Sequence, residues 1–281
     1  MQTLKIFQSL WGMEQRIPEK SEATFDTQFR QIANAGYHGV CLDPAVREIK
    51  ENLALAPLFD QFELECMVNV FPYKIEDLQP LLDMSLELNA VQVNIIGGVM
   101  PITAIEIKEV VESWKEISSK YPFPVLFETH RNSTLNDLYC TLEVLDQVPD
   151  LRLCADLSHF VIDREFHLPI EAQDRQFISR ILSHSDSFQG RVANNEQIQI
   201  AIDFPQHKEW VNQFKIWWRE GISGWRERSH SRATLNFLVE LGPPPYAITD
   251  LNQRELSDRW EEGLEIRRWI EEIWQELDNS S

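Results

Sequence analysis

The stretch FETHRN, residues 127–132, follows a wholly apolar run from Pro124 to Phe127 and ends it on Glu128, with His130 two residues later. A carboxylate at the tip of a buried strand needs a partner, because burying its charge alone is costly. The arrangement recurs. Asp156 closes the apolar run LRLCAD with His159 three residues on, Gln189 and Arg191 sit in FQGRVA, and Glu240 closes NFLVE before Gly242 and three prolines. Carboxylates gathered in one poorly solvated place repel one another and hold on to their protons. One divalent metal ion removes that conflict. Oxygen-rich coordination suits Mg²⁺ or Mn²⁺, and Zn²⁺ or Co²⁺ enters if a histidine joins.

What would gather these residues is the pattern of the whole chain. Eight short apolar runs suit buried strands: LKIFQSLWG, HGVCLD, ECMVNVF, AVQVNIIGG, PVLFETH, LRLCADLSHF, a run over Ser183 to Val192, and NFLVELG. Between them lie segments of helical periodicity, such as Phe25, Phe29, Ile32 and Ala33 before Gly36, or Ile107, Val110, Val111, Trp114 and Ile117 before Pro122. This alternation predicts an α/β fold, a single (β/α)8 TIM barrel over residues 1–281 with an extra C-terminal helix. An open doubly wound sheet would show a glycine-rich turn after its first strand, whereas SLWGMEQRIPEK holds a lone Gly12. The Trp-rich stretch from Trp210 to Trp225 and the tail from Arg254 to Leu277 are expected to pack on the outside as elaborations. In such barrels the chemistry sits at the carboxyl ends of the strands, where the acids above would stand.

Composition narrows the partners. With 26 Lys+Arg against 45 Asp+Glu, a net charge of −19, no general basic surface exists to neutralise phosphates, so nucleic acid is not an expected partner. The N-terminal MQTLKIFQSLWG has no signal-peptide pattern and no apolar run is long enough to span a bilayer, which predicts a soluble, cytoplasmic protein without a membrane partner. Cys41, Cys66, Cys140 and Cys154 are widely spaced in apolar segments, as reduced core residues would be. A small sugar-like molecule is the expected partner, and assembly into a homo-oligomer is left open.

The order FETH, ADLSH, QGRVA and VELGP resembles the sugar phosphate isomerase/epimerase family with the xylose-isomerase-like TIM barrel. The resemblance implies that Glu128, Asp156 and Glu240 bind one divalent cation together with a residue on strand seven. There the family pattern reads His-x-Arg and this chain reads Gln189-Gly190-Arg191. A glutamine oxygen can coordinate a hard cation but is a neutral and weaker ligand for zinc. His184 is the substitute to weigh. Strand alternation places it on the other face from Gln189 and Arg191 unless a bulge intervenes.

The implied chemistry is proton transfer through an enediolate of a hydroxy-carbonyl compound, with Glu128 and Glu240 as the acid/base pair, Asp156 as ligand only, and His159, Arg191 and His130 on the substrate. A dehydratase or lyase on a keto-polyol would use the same residues. A non-catalytic sugar-binding barrel with a weakened metal site is the alternative that Gln189 favours. An apurinic-site endonuclease would need histidines at early strand ends, which HGVCLD and MVNVFP lack. Each carboxylate taken singly also has a plainer reading, as a helix cap or a rim ion pair. The Trp217-Trp218 pair reads as packing, and Asp163, Glu165 and the acids of the tail as solvated.

Overall fold

The computed structural model describes residues 1–15 and 21–279. Eight parallel strands, β1 (Thr3–Ser9), β2 (Gly39–Leu42), β3 (Glu65–Val70), β4 (Gln92–Ile95), β5 (Val125–Glu128), β6 (Leu153–Ala155), β7 (Ser185–Gly190) and β8 (Thr234–Val239), pair in sequence order, and β8 pairs back onto β1 to close the barrel. Each coincides with or overlaps an apolar run named above, β1 starting one residue and β8 two residues ahead of theirs. LRLCADLSHF is divided: β6 stops at Ala155 and LSHF opens a helix.

Helices fill every crossover. They are α1 (Phe25–Asn34), α2 (Ile49–Leu53) with α3 (Ala56–Phe62), α4 (Leu78–Glu87), α5 (Ala104–Ser118), α6 (Leu138–Gln147), α7 (Leu157–Asp163) with α8 (Ala172–His184), α9 (Lys208–Arg228) and α10 (Arg259–Asn279). Several begin at side-chain caps: Thr24, Thr103 and Asp137 accept the N–H of Thr27, Glu106 and Cys140, satisfying donors that have no partner inside the helix. The Trp-rich stretch is a correction to the sequence reading. It is α9, the crossover helix from β7 to β8, and it buries Trp210, Trp217, Trp218 and Trp225 against the sheet and its neighbours. The C-terminal helix α10 follows β8 and packs against α9 to complete the ring.

The period of two along each strand sorts the side chains. Outward residues such as Ile6, Val40, Val68, Val93 and Phe237 join the helices in one large apolar cluster. Inward, Phe7, Cys41, Met67 and Leu238 form a small apolar plug. Beside it runs a chain of amides: Asn236 donates to Gln92 (3.1 Å), Gln92 to Asn94 (2.8 Å), Asn94 to Asn69 (2.8 Å) and Asn69 to Asp43 (3.0 Å). Polar groups inside a barrel are tolerated when they satisfy one another in this way. The cysteines are all unpaired thiols. No helix among the described residues is long and apolar enough to cross a membrane.

Candidate metal centre

Glu128 is the last residue of β5, its side chain inward and 1% exposed. Asp156, one residue past β6, starts α7. Its Oδ1 caps that helix by accepting the N–H of Ser158 at 2.9 Å and the Ser158 hydroxyl, while Oδ2 is left without a hydrogen bond. The plain reading of a strand-end acid, a helix cap, and the functional one thus each take one oxygen. Glu240 follows β8 and is 5% exposed. Oxygens of Glu128, Asp156 and Glu240 all lie within 4.8 Å of one another. At that separation two like charges repel by about 3.5 kcal/mol at an effective dielectric of ~20.

Two side chains from the β7 segment answer part of this charge. Gln189 donates from Nε2 to Glu128 Oε2 at 2.6 Å. Arg191, 2% exposed, donates from Nε to the Glu240 backbone oxygen at 3.1 Å, and its Nη2 and Nη1 stand 3.2 Å from Glu240 Oε2 and 3.6 Å from Asp156 Oδ2. The guanidinium lies over the rings of Tyr246 (5.0 Å) and Trp11 (5.9 Å), which meet edge to face. Gly242 makes this stack fit, because a Cβ there would sit 2.2 Å from the Trp11 ring. The Gln189 backbone is held from outside by Trp218, whose indole N–H donates to its carbonyl at 3.2 Å.

His159 lies in α7, fully buried, with Nδ1 3.3 Å from Arg131 Nη1. A guanidinium has no lone pair to give, so Nδ1 accepts and the ring proton sits on Nε2, 3.4 Å from Asp156 Oδ2. His130 is half-buried, donates from Nδ1 to the Arg131 carbonyl at 2.5 Å, and its ring centre is 3.9 Å from that of His159. Burial, with Arg191 nearby, pushes His130 down to about 4, and burial holds His159 well below the ordinary histidine value, so both rings are neutral at physiological pH.

His184 is elsewhere. It ends α8 at the opposite end of β7, its Nδ1 near the Leu151 carbonyl at 3.2 Å. Five residues separate it from Gln189, about 16 Å along a strand. The bulge that would have changed its parity does exist, since β6 pairs Leu153 with Ser185 but Cys154 with Ser187, passing over Asp186. Position along the strand, not parity, keeps His184 from the mouth.

The electrostatics match the crowding. Burial first, then the charges of Glu240 and Asp156, raise Glu128 well above the ordinary carboxylate range, and burial lifts Glu240 to about 7 although Arg191 opposes it. Asp43, just past β2, is a fourth acid that the sequence reading passed over. Burial and the Glu240 charge raise it too. Its signal was present, since HGVCLD ends on a carboxylate at a strand tip like the others.

These residues fit a divalent cation. Glu128 Oε1, Asp156 Oδ2, Glu240 Oε2 and Gln189 Oε1 are buried without hydrogen-bond partners, and three acids outweigh one guanidinium. The three carboxylates, each with an oxygen within 4.8 Å of the others, suit ligand distances of roughly 2–2.6 Å about one ion.

No protein-family model matches the chain, and no curated protein does. Solved structures do. A xylose isomerase-like TIM barrel protein from Mycobacterium smegmatis, in complex with magnesium, is 14% identical over 97% of both chains with a TM-score of 0.60. A D-allulose 3-epimerase from Methylomonas sp., in complex with D-allulose, is 11% identical over 98% of this chain and 97% of its own, at 0.60. A sugar phosphate isomerase/epimerase from Parabacteroides distasonis is 11% identical over 95% of each chain, at 0.61. What this chain shares with them is the fold, a closed eight-stranded parallel barrel ringed by helices.

Proposed function

We propose that the protein is a divalent-metal-dependent isomerase or epimerase of a small sugar, keto-sugar or related hydroxy-carbonyl compound. The observation that carries this reading is the set of three buried carboxylates from β5, β6 and β8, within 4.8 Å of one another, each with an oxygen that accepts no hydrogen bond. Glu128, Asp156 and Glu240 would hold the ion, with the amide oxygen of Gln189 beside them. When bound, the ion would polarise a substrate carbonyl and favour loss of the neighbouring C–H proton.

The chain's own groups do the rest. Glu128 and Glu240 reach the mouth from β5 and β8, on separate strands, so they would meet a substrate from two sides as groups that take a proton from carbon and return it. One removes the proton from the carbon next to the carbonyl, leaving an enediolate. The other delivers a proton to the opposite face of the same carbon, or to the neighbouring carbon while the hydroxyl proton passes to the former carbonyl oxygen. Arg191 and the Nε2–H of His159 donate to substrate oxygens, and His130, its ring tilted 42° against that of His159, offers a neutral ring at the rim. Incubating metal-loaded protein with ketoses in D₂O tests this: deuterium should enter the substrate at the exchanged carbon. Its absence across a broad ketose panel would rule the reading out.

The second reading, a non-catalytic sugar-binding barrel, is favoured by Arg191, which already stands against Asp156 and Glu240. Such a protein would bind sugar without an ion and exchange no deuterium.

A further inference from the structure

Beside the carboxylate cluster, a cleft of about 400 Å³ opens between the β1 and β2 ends, walled by Trp11, Glu14, Gln28, Asp43, Glu48 and Glu51 among others. It adjoins the candidate centre, because Trp11 lies in its wall and under Arg191, and Asp43 feels the Glu240 charge. Its described lining residues include four carboxylates and no lysine or arginine. Glu48 is partly answered by the exposed Arg47 at 3.1 Å and by the Ala45 N–H at 2.7 Å. Gln28, on α1 and only 4% exposed, lines the same wall with its amide oxygen unpartnered, and Asp43 Oδ2 is likewise buried without a partner. The two buried side-chain atoms there without a hydrogen-bond partner are both oxygens.

We propose that this cleft takes the far end of the substrate, the end away from the reacting carbons, through hydroxyl or ammonium donors, and that it excludes a phosphorylated or carboxylated end. The inference rests on the isomerase reading and narrows its substrate class to free sugars or amino sugars. A wall rich in carboxylates pairs with donors and repels an anion, and a phosphate ester would bring about two more negative charges among four carboxylates. Rejection by unpaired charge discriminates more strongly than a misplaced methylene does.

Calorimetric titration of the Mn²⁺-loaded protein tests this with D-fructose and D-ribulose, their terminal phosphate esters, and 6-amino-6-deoxy-D-fructose. The free and amino sugars should bind more tightly than the esters by about tenfold or more. Glu51→Lys, at an exposed position on α2, should narrow that gap by admitting the esters. Gln28→Leu should weaken free-sugar binding several-fold while leaving Mn²⁺ affinity unchanged. Tighter binding of the esters by the unaltered protein would overturn this inference and leave the isomerase reading standing. Failure of every sugar to bind would overturn both.

Discussion

Gln189 reaches across the barrel to Glu128, its Nε2 2.6 Å from Oε2, and no other described residue hydrogen-bonds that carboxylate. Gln189 therefore spends its donor on an acid and keeps only its carbonyl oxygen for an ion. An imidazole in that place would offer a stronger nitrogen ligand to borderline metals. Gln189→His is accordingly expected to tighten divalent-ion binding and move the preference from Mn²⁺ or Mg²⁺ toward Zn²⁺ or Co²⁺. Gln189→Leu should remove the one hydrogen bond to Glu128 and cost about 1 kcal/mol in the metal-free protein. Competitive metal titration and urea unfolding check the two arms, and an unchanged metal order in the histidine variant would refute the first.

The raised proton affinities of Glu128 and Glu240 fix the sign of the pH dependence. In the unfolded chain both ionise near the ordinary value of 4.5, while in the fold Glu240 holds its proton to about 7 and Glu128 beyond the ordinary range. The unfolded state thus binds fewer protons between those limits, and stability of the metal-free protein falls as pH rises from about 5 to about 8. Added Mn²⁺ should raise the melting temperature strongly at pH 8 and little at pH 5, where protons compete for the same oxygens. A melt insensitive to every divalent ion at pH 8 would remove the metal from the proposal.

Glu262 gives a test of the same linkage away from the mouth. It lies on α10, 7% exposed, accepts the Ile202 N–H at 2.9 Å, and is lifted by burial to about 7. Holding it ionised above that pH opposes folding by up to about 3 kcal/mol. Glu262→Gln keeps the acceptor and discards the charge. It should stabilise the protein at pH 8 and change little at pH 5, as read by urea denaturation at both values.

How the sequence foreshadowed the molecule differs from element to element. All eight strands were legible because a parallel sheet covered by helices is buried on both faces, leaving mostly apolar runs such as HGVCLD, even where amides such as Asn69 line the inside. The candidate acids were legible for a related reason: a carboxylate stands out at the end of such a run. The place of α9 was not. Trp210, Phe214, Trp217, Trp218, Ile222 and Trp225 have helical spacing wherever the helix sits, and nothing in that spacing says which strands it joins. Nor could spacing reveal the bulge at Asp186, which depends on how β6 pairs with β7, or the bond between Gln189 and Glu128, which depends on the barrel bringing distant residues face to face.

Trp218 links that helix to the centre. It is 1% exposed, meets the Phe237 ring edge to face at 5.8 Å, and donates to the Gln189 carbonyl. Trp218→Phe keeps most of the apolar volume but leaves that buried carbonyl without its indole donor, at a cost of about 1–3 kcal/mol. Because the lost bond holds Gln189 itself, ion affinity should drop along with stability. A loss of stability with unchanged ion affinity would show that β7 is held well enough without it.

Arg191 separates the two functional readings. Among the described residues it is the arginine or lysine within 4 Å of Asp156 and Glu240, so Arg191→Met leaves both acids buried without an ion pair. Removing one partner of a buried ion pair typically costs about 3–5 kcal/mol, and the metal-free variant should lose stability on that scale. If the cluster is built for an ion, a divalent cation at 100 times its dissociation constant should restore about 2.7 kcal/mol. The rise in melting temperature on adding Mn²⁺ should then be at least as large in Arg191→Met as in the unaltered protein, because the ion meets no competing guanidinium. If instead the guanidinium is the cluster's permanent counter-ion, as in a binding barrel, Mn²⁺ should rescue neither protein.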